Sequence, residues 1–125
     1  MSRDWRDFLA DVVRHAELAV AIVEGVEPIG LAADPVRRLA LERALEIIGE
    51  AAGKVPAAVR QRYPDVPWQA MIGARVRLAH AYFALDHDLL WRTAREIIPP
   101  MLPRLGEVAR LEGADQPPPT ENRSS

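Results

Sequence analysis

The chain has 125 residues, enough for one domain and too few for two of ordinary size, and 49% of them are apolar. It has no cysteine, which excludes disulfides, thiolate catalysis and cysteine-ligated metals. A formal net charge of −2 excludes a protein that wraps nucleic acid by overall basicity, so RNA chemistry here needs a local cationic cleft or a partner surface.

Trp5, Leu9, Val12, Ala16, Ala19, Val23 and Val26 recur at alternating spacings of four and three, the mark of one helical stripe. They predict a first helix from about Arg3 to Val26. Phe8, His15 and Ile22 widen the stripe, and Arg3, Asp7, Asp11, Arg14 and Glu17 are left to face water. Gly25, Pro28 and Gly30 then break the pattern. The longest unbroken apolar run, Leu18 to Val23, is far short of the roughly 20 residues that span a bilayer. The acidic start is unlike a secretory or transit leader, so the expected location is cytoplasmic, away from membranes.

Asp34-Pro35 suits a helix start, with Asp as cap and Pro in the first turn. Val36, Ala40, Ala44, Ile47 and Ala51 line one side of this second helix, and Leu41, Leu45, Ile48 and Ala52 the next. So broad a face predicts more than one neighbour. Gly53 and Pro56 end it, and a helical turn over Ala57 to Arg62 precedes Tyr63-Pro64.

A third helix is predicted from Pro67 to about Phe83, with Trp68, Ile72, Ala79 and Phe83 on its core line and Met71 and Val76 beside them. Asp86 reads as the cap of a fourth, in which Leu90, Ala94, Ile97, Met101, Leu105 and Val108 keep phase. Pro99, Pro100 and Pro103 predict a kink within it. The whole reads as an all-α, mainly up-and-down four-helix bundle over residues 1–112, followed by a disordered tail over 113–125.

Arg75, His80 and Tyr82 interrupt an otherwise core-forming stretch of the third helix. Each has an ordinary structural reading: a surface ion pair, a satisfied rim histidine, a packing tyrosine with a wet hydroxyl. Together they also suffice for metal-free RNA cleavage. An imidazole takes the proton of a ribose 2′-hydroxyl, and a guanidinium holds the phosphate as charge builds on its oxygens. At about 100° per residue, Arg75 and His80 project about 140° apart on an ideal helix. A shared site therefore needs local distortion, or groups from two protomers that converge. Arg77 reads as a solvated charge. Asp86-His87-Asp88 reads as a capped helix start, His15 has no partner at ligand spacing, and neither a metal nor a cofactor is expected.

The wider pattern resembles a known family. Glu46-Ile-Ile-Gly-Glu-Ala-Ala52, Tyr63-Pro-Asp-Val-Pro-Trp68, Ile72-Gly73, Arg75-x4-His80-x-Tyr82-Phe83, and Asp86 followed by Leu90-Trp91 and Ile97-Ile-Pro-Pro100 are similar to HepT. HepT is the HEPN-superfamily toxin of HepT–MntA toxin–antitoxin pairs. The resemblance runs from about Asp11 to Leu105. It implies a homodimeric HEPN ribonuclease with Arg75 and His80 as the catalytic pair in a cleft at the dimer interface. It also implies an MntA-like nucleotidyltransferase antitoxin that transfers AMP from ATP onto Tyr82, placing bulk and charge where substrate phosphate must sit. One position departs from the pattern: the residue after the motif arginine is commonly Asn in HEPN ribonucleases and is Val76 here. That departure sustains an alternative, a catalytically silent HEPN domain that serves as a scaffold for the same partner.

Overall fold

A computed structural model describes residues 4–73 and 87–114; they form helices joined by turns, with no strand among them. The fold is all-α. Helix α1 (Trp5–Ile22) begins where Asp4 accepts a hydrogen bond from the Arg6 amide at 3.0 Å. Its expected stripe is the centre of the core: Leu9, Val12, Ala16, Ala19 and Val23 are buried, with Trp5, Phe8, Ile22 and Val26 packed around them. Side chains as fully enclosed as Leu9 or Leu41 each stabilise the fold by roughly 1.5–3 kcal/mol.

Two expectations for α1 are corrected. The helix stops at Ile22 instead of Val26, because the chain turns through Gly25, whose φ of 71° lies in the left-handed region. Asp11 does not face water but is buried, with its carboxylate accepting from Arg14. The physical reason is that α1 packs against α3, α7 and the turn between α6 and α7, so its neighbours close around more than one stripe.

The expected break over Gly25 to Gly30 contains a short helix, α2 (Pro28–Ala32). Pro28 sits in its first turn, where a missing amide hydrogen costs nothing, and Leu31 is fully enclosed. Helix α3 (Pro35–Lys54) starts as expected: Asp34 accepts from the Arg37 amide at 3.1 Å. That bond holds the Asp34 carboxyl below its ordinary pKa. Arg37 Nη1 donates to the Ile22 carbonyl at 2.6 Å, and Lys54 at the other end lies 5.5 Å from the Phe8 ring centroid. Helices α1 and α3 therefore run antiparallel.

Leu41, Ala44, Leu45, Ile48, Ala51 and Ala52 form the buried face of α3. Val36, expected on that face, is 79% exposed. Because α1 ends level with Arg37, it offers no side chain to cover Val36.

Helix α4 (Ala57–Arg60) is the expected short turn, two residues shorter than predicted. Helix α5 covers residues 68–73 within the described part. The remainder of the expected third helix and the Asp86 cap lie outside the described residues, as does the tail beyond Ala114.

The expected fourth helix is not one helix. It runs as α6 (His87–Arg92), a π-helical turn (Thr93–Ile97), a 3-10 turn (Pro99–Met101) and α7 (Leu102–Leu111). Pro99 and Pro100 have no amide hydrogens to continue the α pattern, and the Ile98 amide instead reaches back five residues to the Thr93 carbonyl at 2.9 Å. The wider turn shifts the apolar phase by one residue. Ile98 is buried at 5% exposure, whereas Ile97, expected in the core, is 51% exposed.

Helix α7 ends at a left-handed Gly113, with φ 73°. The Gly113 amide bonds the Arg110 carbonyl at 3.1 Å and the Ala114 amide bonds that of Ala109 at 2.7 Å, the two bonds of a Schellman cap. Among the described residues, no helix is long and apolar enough to cross a membrane.

Candidate functional site

The three residues that carry the expected chemistry, Arg75, His80 and Tyr82, lie outside the described residues, as does Val76. What the structure places is the segment that leads into them and the contacts that hold it. Tyr63 to Trp68 folds back on itself. The Val66 amide bonds the Tyr63 carbonyl at 3.1 Å, the Trp68 amide bonds that of Val66 at 2.8 Å, and the Trp68 indole donates to the Tyr63 carbonyl at 3.0 Å. Pro64 and Pro67 supply the turns, and Tyr63, Val66 and Trp68 are buried. The first turn of α5 follows, with the Met71 amide on the Pro67 carbonyl at 3.1 Å.

Two carboxylate clamps tie this segment to α7. Glu112 accepts from the Tyr63 hydroxyl and from Arg62 Nη1, the latter at 2.8 and 3.0 Å. Its own carbonyl takes Arg6 Nε at 2.7 Å, which brings in the start of α1. In the second clamp Arg104 grips Asp65 and Glu107, and its guanidinium carbon lies 5.5 Å from the Tyr63 ring centroid.

The electrostatics follow from these bonds. The hydrogen bond to Glu112, with burial, raises the Tyr63 hydroxyl above its ordinary pKa, and the same bond lowers the Glu112 carboxyl. Arg104 lowers Asp65 in the same way. The charges are matched, and the ionisable groups are held in their ordinary states. Such a network fixes geometry; it does not activate a nucleophile.

None of Arg62, Asp65, Arg104 and Glu112 emerges as a site residue from the sequence. Asp65 belongs to the Tyr63–Trp68 motif, but its partner Arg104 lies 39 residues away. A pairing over that distance leaves no periodic signal.

Of the other expected positions, His15 Nδ1 lies 2.9 Å from the Asp11 carbonyl oxygen. A carbonyl only accepts, so this nitrogen carries the proton. His87 is half-buried in the first turn of α6. Among the described residues no group of three or more His, Asp or Glu side chains is arranged to hold a metal ion.

Comparison with known proteins bears on the same segment. The family model described as ribonuclease HepT-like matches residues 12–108, a span that contains the Tyr63–Trp68 turn and the Arg75–Tyr82 string. The chain is 36% identical over 99 residues to the probable ribonuclease HepT of Thermococcus cleftensis, which covers 79% of this chain and 90% of that one. It is 32% identical over 107 residues to the RNase candidate TTE0752 of Caldanaerobacter subterraneus subsp. tengcongensis, covering 86% and 96%. It is 30% identical over 115 residues to the RNase candidate MJ1216 of Methanocaldococcus jannaschii, covering 91% and 95%. No solved structure gives a significant match. With the family model matched across most of its length, on an all-helical fold, the chain belongs to the ribonuclease HepT-like family of the HEPN superfamily.

Proposed function

We propose that this chain is the ribonuclease toxin of a HepT–MntA type pair, a homodimer that cuts RNA without a metal and is silenced by AMP on Tyr82. The observation that carries the reading is the family match over residues 12–108, which includes the complete Arg75-x4-His80-x-Tyr82 string. His80 takes the proton of a ribose 2′-hydroxyl. The freed oxygen attacks the adjacent phosphorus, the 5′-oxygen of the next nucleotide leaves and takes up a proton from solvent to become a hydroxyl, and a 2′,3′-cyclic phosphate remains. Arg75 holds the phosphate oxygens as negative charge grows on them. Two protomers supply the groups to one cleft, which accommodates the wide angle between the two positions on an ideal helix.

Silencing follows from the same placement. The Tyr82 oxygen attacks the α-phosphorus of ATP bound to the nucleotidyltransferase, and pyrophosphate leaves. The tyrosine then carries a bulky anion beside a site built for phosphate.

Purified protein incubated with RNA in the presence of a chelator tests the catalytic part. Arg75→Ala and His80→Ala are each expected to slow cleavage by about 10²–10⁴. Cleavage that survives both substitutions removes the assignment, and a wild-type protein that binds its partner without cutting RNA establishes the scaffold reading instead. Co-expression with the partner nucleotidyltransferase is expected to add AMP mass to the Tyr82 peptide. Suppressed toxicity without that mass would mean that the partner simply covers the site.

A further inference from the structure

An open cleft of ≈ 510 Å³ lies between α4, the turn at Pro64 to Pro67 and the first turn of α5. Its apolar lining is exposed at Ala57, Pro64, Pro67 and Ala70, with the buried Val66 and Trp68 beneath, and its polar lining is Arg60, Gln61 and Gln69. Arg60 Nε donates to the Val55 carbonyl at 3.0 Å, which steadies the guanidinium. The neighbouring cations are engaged, Arg62 by Glu112 and Arg104 by Asp65 and Glu107. Among the described residues Arg60 has no carboxylate partner and no acid lines the cleft. Gln61 and Gln69 are exposed, and their carboxamides make no hydrogen bond within the described residues. In a chain of net charge −2, the described residues give this pocket a cation without a carboxylate beside it and two carboxamides without a bond.

We propose that this cleft is a subsite for one unpaired nucleotide of an RNA strand. The base lies on the apolar bed, Gln61 and Gln69 meet its hydrogen-bonding edge, and Arg60 takes a flanking phosphate. A carboxamide offers a donor and an acceptor side by side, the pattern that pairs with base edges. The guanidinium supplies the planar fork that phosphate prefers. The volume falls within the range of small-ligand sites, and single-stranded RNA is the form whose bases can be splayed into such a slot. An acidic peptide would satisfy Arg60 and leave both carboxamides without work. The proposal rests on the RNA-cleaving reading above and extends it, since Ala70 at the edge of the cleft precedes Arg75 by five residues.

The test is binding of fluorescein-labelled 2′-O-methyl oligo(A) and oligo(U), which lack the attacking hydroxyl, measured by anisotropy from about 50 to 200 mM salt. Arg60→Ala is expected to weaken binding about 10-fold and to lower the salt slope by about one, and Arg60→Lys to restore the slope. Gln61→Ala with Gln69→Ala is expected to change the A-to-U affinity ratio at least about threefold with the slope intact. These two side chains are exposed and unbonded, so their removal leaves the fold in place even if Arg60→Ala loosens the turn at Val55. Unchanged affinity ratio and slope across the set overturn the subsite. Cleavage that depends on Arg75 and His80 while binding ignores Arg60, Gln61 and Gln69 defeats the subsite alone. Binding that follows the cleft variants while cleavage ignores Arg75 and His80 defeats the catalytic assignment alone.

Discussion

Arg104 holds Asp65 through two nitrogens at once: Nε donates to Oδ2 at 2.7 Å and Nη2 to Oδ1 at 3.1 Å. This fork fastens the turn ahead of α5 to α7, and Arg104 Nη1 also donates to Glu107 on its own helix at 2.8 Å. Both partners are partly exposed, so the pair is screened by salt and contributes modestly to stability. Its value lies in direction, because a planar fork fixes the angle at which the turn meets α7. Arg104→Lys keeps the charge but loses the fork. The variant is expected to melt below the wild type at low salt, with the gap narrowing in high salt. A gap that is the same at both salt concentrations would show that the ion pair is not its source.

The Tyr63–Glu112 bond predicts a stability profile with two limbs. Glu112 has a folded pKa below the usual 4.5, so its contribution is present above that value and is lost as pH falls through the folded pKa. Tyr63 has a folded pKa above the usual 10.0, so its contribution is present below that value and is lost as pH rises through the folded pKa. Tyr63→Phe removes the shared bond. It is expected to cost about 1–2 kcal/mol between the limbs and to flatten both. Urea denaturation of the two proteins from about pH 3 to about pH 11 reads the difference. Limbs of equal steepness in both would assign the pH dependence to other groups.

These contacts mark where the sequence stops being readable. The stripe from Leu9 to Val23 and the Asp34 cap are local: a helical period and a three-residue reach specify them, and the structure has both. The step from Ile97 to Ile98 is less accessible. Pro99 and Pro100 announce a disturbance, but whether the chain kinks within one phase or widens into a π turn depends on which carbonyl the Ile98 amide finds. Burial of Asp11 depends on α3, α7 and the turn between α6 and α7 closing around α1, and the fork on Asp65 joins residues far apart in the chain. The candidate site divides in the same way. Arg75, His80 and Tyr82 stand out by residue type and by family resemblance. The Tyr63–Trp68 motif is visible as a pattern, and its physical content, a turn clamped by Glu112 and Arg104, emerges only from folded neighbours.

Gly25 gives a test of backbone conformation isolated from packing. Its φ of 71° disfavours any side chain with a Cβ, yet a Cβ there would meet nothing within 4 Å. Gly25→Ala is therefore expected to cost about 1–2 kcal/mol through strain alone. Gly25→Asn should cost clearly less, because Asn tolerates the left-handed region. Equal losses for the two, measured by thermal unfolding, would mean that a contact and not the dihedral is at fault.

Helix α3 provides a contrast between two positions that the sequence pattern treats alike. Leu41 is fully enclosed between α1 and the rest of the core, whereas Val36 is 79% exposed beyond the end of α1. Leu41→Ala removes apolar atoms and leaves a cavity, which is expected to destabilise by about 2–5 kcal/mol. Val36→Ala removes atoms already in contact with water and is expected to change stability by no more than about 0.5 kcal/mol. Denaturant midpoints at constant slope separate the two. A large loss at Val36 would mean that this surface is covered in solution, and would place a neighbour on the outer turn of α3 that a single chain does not supply.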